Sequence, residues 1–315
     1  MTDGELRNTL TVIGCAFEEN QPYSKVGYWK IGGSLRWFVH VATIQQLTDV
    51  VALGLPILLL GNGSNMLLSD DGFDGLAIQL TGDFDSLEFT ETGVVVGSGV
   101  ANVKVLSKIK REGRGGLGAL AGVPGTVGGA IRMNAGTYLG EIGAVVEWVE
   151  WMNNGVVHRS TATELNFQYR RVGLPWSAIV LRAHLLTHTN NVDEERASIK
   201  KHLARRKETQ PLHLPSCGSV FKNPEGDYAG RLIEQVGLKG HQIGNAQISE
   251  KHANFIVNLG GATAHDVASL IRLARESVYR ETGVALEPEV RREGPWDDAV
   301  WALSHELNAS LIHRK

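Results

Sequence analysis

Hydrophobic positions recur at helical spacing most clearly in residues 263–282. The apolar stripe of this segment consists of Val267, Leu270, Ile271, Ala274 and Val278. Thr263 and Asp266 form a start that resembles a capping box, and Gly283 follows the last apolar turn. The pattern predicts one long helix whose stripe faces a protein core rather than a cofactor.

Two shorter segments have similar spacing. Thr43 precedes a predicted helix that ends at Gly54 and leads into an apolar strand over residues 56–60. Its apolar positions are Ile44, Leu47 and Val51. A second helix is predicted to end at Gly113, with Val103, Leu106 and Ile109 on one face.

Alternating or continuous apolar runs predict strands at residues 76–78, 94–96 and 255–257. Residues 145–152 and 156–158 flank Asn153-Asn154-Gly155, which is a strong hairpin signal. Antiparallel pairing there argues against an all-parallel, doubly wound sheet.

A polar run at residues 190–195 precedes a charged helix that extends to about Lys207. We interpret this helix as a bridge to another domain. After it, Gly226-Asp227 is expected to cap a short helix that ends at Gly237.

Glycine is most concentrated in residues 118–136, where it occupies six of nineteen positions. Such density indicates a backbone that turns tightly or approaches a ligand closely. Pro124 fixes one corner, and main-chain N–H groups, with Thr126 and Asn134, could bind an anionic ligand as backbone nests do. A purely structural loop is the alternative.

A second glycine turn, Gly61-Asn62-Gly63-Ser64-Asn65, ends the apolar run at residues 56–60. A Rossmann fingerprint would require a small residue at Met66 and a helix directly afterwards, whereas residues 66–70 suggest strand or loop. No glycine cluster is followed by the Lys-Ser/Thr pair of a P-loop. The turn is therefore predicted to contact a pyrophosphate in a non-Rossmann manner.

The two glycine segments together closely resemble the flavin-binding half of the UDP-N-acetylenolpyruvoylglucosamine reductase family. Further matching motifs lie before and after these segments, in family order: Ile31-Gly32-Gly33, Tyr169-Arg170, the Gly-Ser-Val-Phe-Lys-Asn-Pro run at residues 218–224, and Glu289-Val290-Arg291. These ordered motifs, taken together, are much more specific than any one of them.

The resemblance implies an α+β fold, in which a two-subdomain FAD-binding module of the vanillyl-alcohol-oxidase type precedes a smaller substrate-binding α+β domain. The expected boundaries are residues 1–70 and 71–207 for the two FAD-binding subdomains, 208–293 for the substrate domain and 294–315 for a tail. The strand expected near Ile179 follows Arg170 closely, so the chain resembles the shorter subgroup without the tyrosine-bearing insert.

The same resemblance implies non-covalent FAD, reduced by NADPH, and reduction of UDP-N-acetylglucosamine enolpyruvate to UDP-N-acetylmuramate for peptidoglycan. Lys222 and Asn223 are candidates to bind the UDP-sugar. The residues expected to hold FAD are Gly61, Asn62, Gly63, Ser64, Asn65, Gly122, Pro124, Gly125, Thr126, Gly128, Gly129, Asn134, Ala135, Gly136 and Arg291.

Adding hydride to the methylene carbon of an enolpyruvyl ether leaves negative charge that spreads into the neighbouring carboxylate. A cation beside that carboxylate and an acid for the adjacent carbon are therefore required. Arg170 provides a guanidinium fork that fits a carboxylate. By resemblance, Ser219 donates the proton and Glu289 helps to stabilise the enolic intermediate. Arg171 is the alternative to Arg170. In this chain Arg171 and Val172 follow Arg170, whereas many relatives have a polar residue and then serine at these two positions.

Composition excludes several other classes. The net charge is −3 with no basic run, which argues against nucleic acid as a partner. Cys15 and Cys217 form no Cys-x-x-Cys pair, so neither a disulfide framework nor a cysteine metal site is expected. His184 and His188 would lie roughly 13 Å apart on a strand, too far to share an ion. No apolar run approaches membrane-spanning length and no signal peptide is recognisable, so we expect a cytoplasmic protein.

Two questions stay open at this point. Residues 294–315 carry apolar positions at helical spacing, Trp296, Val300, Leu303, Leu307 and Leu311. This tail is expected to pack on the N-terminal domain or, as the alternative, to form a homodimer. The alternative functions are an FAD-dependent oxidase acting on a sugar or hydroxy acid, and a non-catalytic flavin-binding protein.

Overall fold

The computed structural model describes residues 1–297. The predicted stripe of the tail beyond Trp296, and with it the expected homodimer contact, lies outside the described residues. The helices of the described chain are α1 Asp3–Ile13, α2 Ile44–Ala52, α3 Asn102–Arg111, α4 Val127–Arg132, α5 Ala162–Leu165, α6 Val192–Thr209, α7 Ala229–Gln235 and α8 Ala264–Thr282. Among them, none combines the length and apolar character needed to cross a membrane.

The strands alternate with these helices along the chain. They are β1 Ala16–Pro22, β2 Ser34–Val41, β3 Ile57–Leu59, β4 Met66–Leu68, β5 Phe73–Leu80, β6 Leu87–Phe89, β7 Gly93–Gly97, β8 Gly136–Thr137, β9 Gly140–Glu141, β10 Val146–Asn153, β11 Val156–Thr161, β12 Ile179–Leu186, β13 Gln242–Ile243, β14 Ala246–Ile248, β15 Ile256–Asn258 and β16 Arg291–Glu293.

The chain forms two compact units. The first contains Met1–Glu19, Trp37–Asn62 and Gly75–Arg205. Its sheets have the strand orders β1-β2-β5-β3 and β11-β10-β12-β7-β6. Two hydrophobic clusters fill this unit, one built around α1 and α2, and the other around α3, α4 and the five-stranded sheet.

The second unit contains Asn20–Arg36, Gly63–Asp74 and the chain from Arg206 onward. Its sheets are β13-β14-β15 and the parallel pair β16-β4. One hydrophobic cluster joins α7, α8 and these sheets, and Trp29 and Phe221 are among its largest buried side chains. The unit boundary at Arg205 lies close to the boundary expected near residue 207, whereas two earlier segments of the chain also belong to this unit.

The long helical pattern is confirmed by α8. The Thr263 hydroxyl accepts a hydrogen bond from the Asp266 N–H at 3.0 Å, and the Asp266 carboxylate accepts one from the Thr263 N–H at 3.0 Å. Gly283 ends the helix with φ of 71°, in the left-handed region. All five residues of the predicted stripe are buried.

The predicted hairpin is confirmed by the antiparallel pair β10 and β11. Asn153 pairs with Val156, so Asn154-Gly155 is the two-residue turn. Both turn residues have positive φ, as a type I′ hairpin turn requires. Together with the helices, the antiparallel five-stranded sheet that contains this pair agrees with the α+β fold class expected from the sequence.

Two local expectations were wrong. Val103 is 73% exposed, because α3 begins at Asn102 and turns its face with Asn102, Val105 and Ile109 inward. Asp227 does not cap α7, whose N-cap residue is Tyr228. The Asp227 carboxylate instead accepts hydrogen bonds from the Tyr228 N–H and from Arg231, which lowers its pKa to about 2.

Candidate active site

The glycine segment of the first unit consists of two turns and a short helix. Gly122 and Gly125 have φ of 74° and 103°, conformations that residues with a Cβ rarely adopt. Thr126 then caps α4 through its hydroxyl, which accepts from the Gly129 N–H at 3.5 Å. The segment turns tightly, as the sequence predicted, and it continues into the short helix α4, which the sequence did not predict.

Gly128 lies directly against the end of β7. Its N–H donates to the Ser98 carbonyl at 2.9 Å, and a Cβ at Gly128 would lie 2.8 Å from the Ser98 Cβ. The Ser98 Oγ and the Asn102 Oδ1 are buried, and neither has a hydrogen-bond partner within residues 1–297. Buried polar atoms without partners are rare, so this donor and acceptor fit a polar ligand beside the loop.

Gly61 brings the first glycine turn to the same place. A Cβ at Gly61 would lie 2.9 Å from the Thr126 Oγ1. The Gln79 Nε2 donates to the Gly61 carbonyl at 3.3 Å and holds this residue in position. The two glycine segments singled out in the sequence thus meet at Gly61 and Thr126. Together with the partnerless atoms of Ser98 and Asn102, this cradle fits a dinucleotide such as FAD.

Both polar atoms of the Asn134 side chain have hydrogen-bond partners within the protein. Its Oδ1 accepts from the Gly143 N–H at 2.9 Å, and its Nδ2 donates to Glu141 at 2.8 Å and to the Gln168 carbonyl at 2.9 Å. Asn134 therefore shapes the end of the glycine segment with its amide, and a ligand contact there would come from the main chain.

Arg170 lies in a tight turn, in which Gln168 and Arg171 exchange main-chain hydrogen bonds at 2.9 and 3.0 Å. Its φ of 55° is left-handed, which is uncommon for a residue with a side chain and is often found at functional sites. The guanidinium donates to the carbonyls of Asn134 and Gly136 at 3.3 and 3.4 Å. Arg171 is exposed. These contacts bring Arg170, and not Arg171, to the end of the glycine segment.

In the second unit, Asn65 connects the rest of the glycine turn to the C-terminal motif. Its Nδ2 donates to the Glu289 carbonyl at 3.0 Å, and its own carbonyl accepts from the Arg291 N–H at 3.1 Å. The parallel pairing of β4 with β16 continues this contact. Residues 63–65 and 289–291, which are more than two hundred positions apart in sequence, are therefore direct neighbours.

The serine motif joins the same group. The Val220 carbonyl accepts from the Glu289 N–H at 2.8 Å, and the Lys222 N–H donates to the Glu287 carbonyl at 2.9 Å. Ser219 is half-buried. The structure thus brings the predicted Ser219 and Glu289 segments together.

Cys217 lies two residues before Ser219 and is buried. Its Sγ is 3.6 Å from the Gly63 carbonyl and 3.8 Å from the Met66 carbonyl. Burial raises the pKa of the Cys217 thiol to about 12, so the reactive thiolate is disfavoured. The interpretation of Cys217 as a packing residue agrees with these contacts.

Asn254 supports the serine motif, and the sequence analysis missed it. Its Oδ1 accepts from the Phe221 N–H and its Nδ2 donates to the Phe221 carbonyl, both at 2.9 Å. The Asn254 carbonyl also accepts from the Val220 N–H at 2.8 Å. The signal that was available is an asparagine immediately before the predicted strand at residues 255–257, a polar residue at the edge of an apolar run.

The remaining candidates are engaged in local contacts. The Lys222 ammonium pairs with Glu287 at 2.6 Å, and the Asn223 Oδ1 accepts from the Ala229 N–H at 3.1 Å. Arg291 pairs with Glu293 at 2.7 Å. Burial raises the pKa of Glu293, an effect that the charge of Arg291 opposes.

No group of three or more histidine, cysteine, aspartate or glutamate side chains within residues 1–297 is arranged to hold a metal ion. His184 lies on β12, as predicted from the alternation. Its Nδ1 contacts Glu147 at 2.5 Å, and its Nε2 contacts the Thr90 hydroxyl at 2.9 Å.

Two family models match the chain. One is described as FAD binding domain and matches residues 36–159. The other is described as UDP-N-acetylenolpyruvoylglucosamine reductase, C-terminal domain, and matches residues 210–292. The first includes the glycine cradle, and the second includes Ser219 and Glu289.

Similar proteins cover most of the chain. A UDP-N-acetylenolpyruvoylglucosamine reductase 2 of Symbiobacterium thermophilum is 44% identical over 85% of this chain and 89% of its own length. The corresponding reductase of Myxococcus xanthus is 39% identical over 89% of this chain and 93% of its own. The crystal structure of the Thermus caldophilus reductase, MurB, superposes with a TM-score of 0.78 at 36% identity and covers 89% of this chain and 99% of that one.

Proposed function

Because the chain belongs to the UDP-N-acetylenolpyruvoylglucosamine reductase family, we propose that it reduces UDP-N-acetylglucosamine enolpyruvate to UDP-N-acetylmuramate with NADPH as the hydride donor. The enzyme is an FAD-dependent oxidoreductase of peptidoglycan precursor synthesis. The observation that supports the proposal is the main-chain contact between Val220 and Glu289, which makes the segments of the proposed proton donor and the proposed stabilising carboxyl group direct neighbours.

FAD, when bound, supplies the transfer of hydride from NADPH to the substrate's methylene carbon. We propose that Gly61 and the loop at residues 122–136 hold it, with further contacts from residues 62–65 and Arg291. The partnerless atoms of Ser98 and Asn102 support this assignment. The proposed boundaries are residues 1–70 and 71–207 for the two FAD-binding subdomains and 208–293 for the substrate domain. Residues 20–36 and 63–74 nevertheless belong to the compact unit that contains residues 208–293.

The protein's own side chains are proposed to act on the substrate. Arg170 binds the carboxylate and stabilises the charge that develops there, since a guanidinium can donate two parallel hydrogen bonds. Ser219 donates a proton to the carbon next to the carboxylate, and Glu289 stabilises the enolic intermediate beside it. Lys222 and Asn223 bind the UDP-sugar. Overall, one hydride from NADPH and one proton add to the two carbons of the double bond, which becomes a single bond.

The proposal places the reaction in the cytoplasm and gives the product a role in cell-wall synthesis, cell shape and division. Two buried free cysteines are in keeping with a reducing compartment.

The test is product identification. Purified protein is incubated with NADPH and the enolpyruvyl substrate under argon in deuterated water, and the product is analysed by mass spectrometry. We expect UDP-N-acetylmuramate that carries a non-exchangeable solvent deuterium on the carbon next to the carboxylate, the position that the proposed proton donor serves. If no such product forms under argon, and a parallel incubation in air consumes oxygen with a sugar alcohol or hydroxy acid, the protein is an oxidase instead. Bound flavin with neither reaction would favour a non-catalytic flavin protein.

A further inference from the structure

The first turn of α6 holds a carboxylate against the glycine-rich backbone. The two oxygens of Glu195 accept hydrogen bonds from two main-chain N–H groups, that of Gly116 at 2.7 Å and that of Gly118 at 2.9 Å. Hydrogen bonds to a carboxylate are short and roughly twice as strong as neutral ones. Glu195 thus occupies a nest of the kind that binds anions elsewhere.

The glycines at this point leave room for the carboxylate. A Cβ at Gly115 would lie 2.2 Å from the Glu195 Oε2, and one at Gly118 would lie 3.1 Å from the Glu195 Oε1. The glycines at positions 115 and 118 are therefore explained by the close approach of an internal carboxylate.

Further contacts along α6 fix the same stretch of chain. His202, two helical turns after Glu195, is buried and contacts the Ala121 carbonyl through its Nε2 at 3.1 Å. Arg196 donates to the Lys110 carbonyl at 2.9 Å. The helix that the sequence analysis interpreted as a bridge between domains is therefore attached to residues 110–121 at several points.

We propose that Glu195 is a positioning residue for the cofactor loop. By holding the N–H groups of Gly116 and Gly118, it fixes the chain that enters residues 122–136, so that this loop is formed before FAD binds. Preorganisation of this kind increases affinity because less ordering remains to be done on binding. The inference rests on the proposed function in one respect, namely that residues 122–136 contact FAD.

The test compares Glu195→Ala and Glu195→Gln with Glu194→Ala, which removes an exposed charge from the same helical turn. Apoprotein is titrated with FAD, and flavin fluorescence gives the dissociation constant. We expect Glu195→Ala to raise it by roughly tenfold or more, since two charge-assisted hydrogen bonds are lost. The dissociation constant of Glu195→Gln should lie between those of the wild type and Glu195→Ala. The amide oxygen can accept from one main-chain N–H, but the amide NH₂ group then faces the other N–H. Glu194→Ala should match the wild type.

Hydrogen exchange distinguishes positioning from general destabilisation. In Glu195→Ala apoprotein we expect faster exchange in a peptide spanning residues 113–121, with unchanged exchange in β10 to β12. Unchanged FAD affinity in both Glu195 variants, equal weakening in Glu194→Ala, or faster exchange throughout the chain would each overturn the proposal. If Glu195→Ala does not fold, Glu195→Gln decides. Wild-type protein that binds no FAD would instead contradict the proposed function.

Discussion

The Glu289 N–H donates a hydrogen bond to the Val220 carbonyl at 2.8 Å. This contact ties the segment that carries the proposed acid, Ser219, to the segment that carries the proposed stabilising carboxyl group. Asn65 binds the Glu289 carbonyl from the other side. Three motifs far apart in sequence thus share one hydrogen-bonded network, and its members can be tested one at a time.

Ser219→Ala should separate the two half-reactions. If the hydroxyl only protonates the substrate carbon, flavin reduction by NADPH stays near the wild-type rate. Reoxidation by the enolpyruvyl substrate should slow by roughly 10² or more, as is typical when a general acid is lost. Stopped-flow absorbance measures both rates. Ser216→Ala is the matched control and should leave both unchanged. Equal slowing of both half-reactions by Ser219→Ala would contradict the role.

Arg170→Lys and Arg171→Lys form a matched pair. Lysine keeps the charge at position 170 but loses bidentate geometry, and a hydrogen bond to a charged group is worth about 1.5–3 kcal/mol. Reoxidation in Arg170→Lys should therefore slow by roughly ten- to hundredfold. Arg171 is exposed, so Arg171→Lys should have little effect. The opposite ranking in single-turnover reoxidation would show that Arg171 faces the substrate.

Asn254→Ala should both destabilise the second unit and impair the serine motif. It leaves the Phe221 N–H and carbonyl without partners in a buried place, which costs about 1–3 kcal/mol for each buried group left unsatisfied. Thermal unfolding measures the loss, and reoxidation kinetics measure the effect on Ser219. Asn245→Ala, which removes an exposed amide of the same unit, should change stability by less than about 0.5 kcal/mol. A stable Asn254→Ala protein with normal reoxidation would show that the hydrogen bonds between Asn254 and the Phe221 main chain are dispensable.

Glu293 gives a prediction with a defined sign. Burial raises the pKa of Glu293 in the folded protein above its ordinary value of 4.5. At pH values between the ordinary pKa and the raised one, the folded protein therefore binds more protons than the unfolded chain. The contribution of this group to the free energy of unfolding therefore falls as pH rises through that window. The stability of Glu293→Gln relative to the wild type should increase from about pH 4 to about pH 7. Urea denaturation across this range checks it, with the exposed Glu225→Gln as a control. A relative stability that is flat or falling with pH would contradict the shift.

Sequence reasoning was most successful where local chemistry determines structure. The capping box of Thr263 and Asp266 and the Asn154-Gly155 turn each specify their element within a few residues, and both were predicted. The same chemistry was present in Thr2 and Glu5, which cap α1, but that helix was not recognised. A capping pair thus predicts a helix only when the spacing of the apolar residues that follow it is considered as well.

Tertiary contacts explain what the sequence did not reveal. Val103 and Val105 are both apolar, and only the packing of α3 decides that Val105 is buried. Asn254 and Glu195 act on backbone more than thirty positions away, so no local pattern indicates their partners. The ordered motifs identified Ser219 and Glu289, but their contact through Val220 required the fold.

The central claim is tested most directly by the flavin spectrum of the purified wild-type protein. Under argon, NADPH should bleach the absorbance of bound FAD, and addition of UDP-N-acetylglucosamine enolpyruvate should restore it with formation of one equivalent of product. A spectrum that NADPH does not bleach, or one that oxygen restores rapidly while the enolpyruvyl substrate has no effect, would contradict the account.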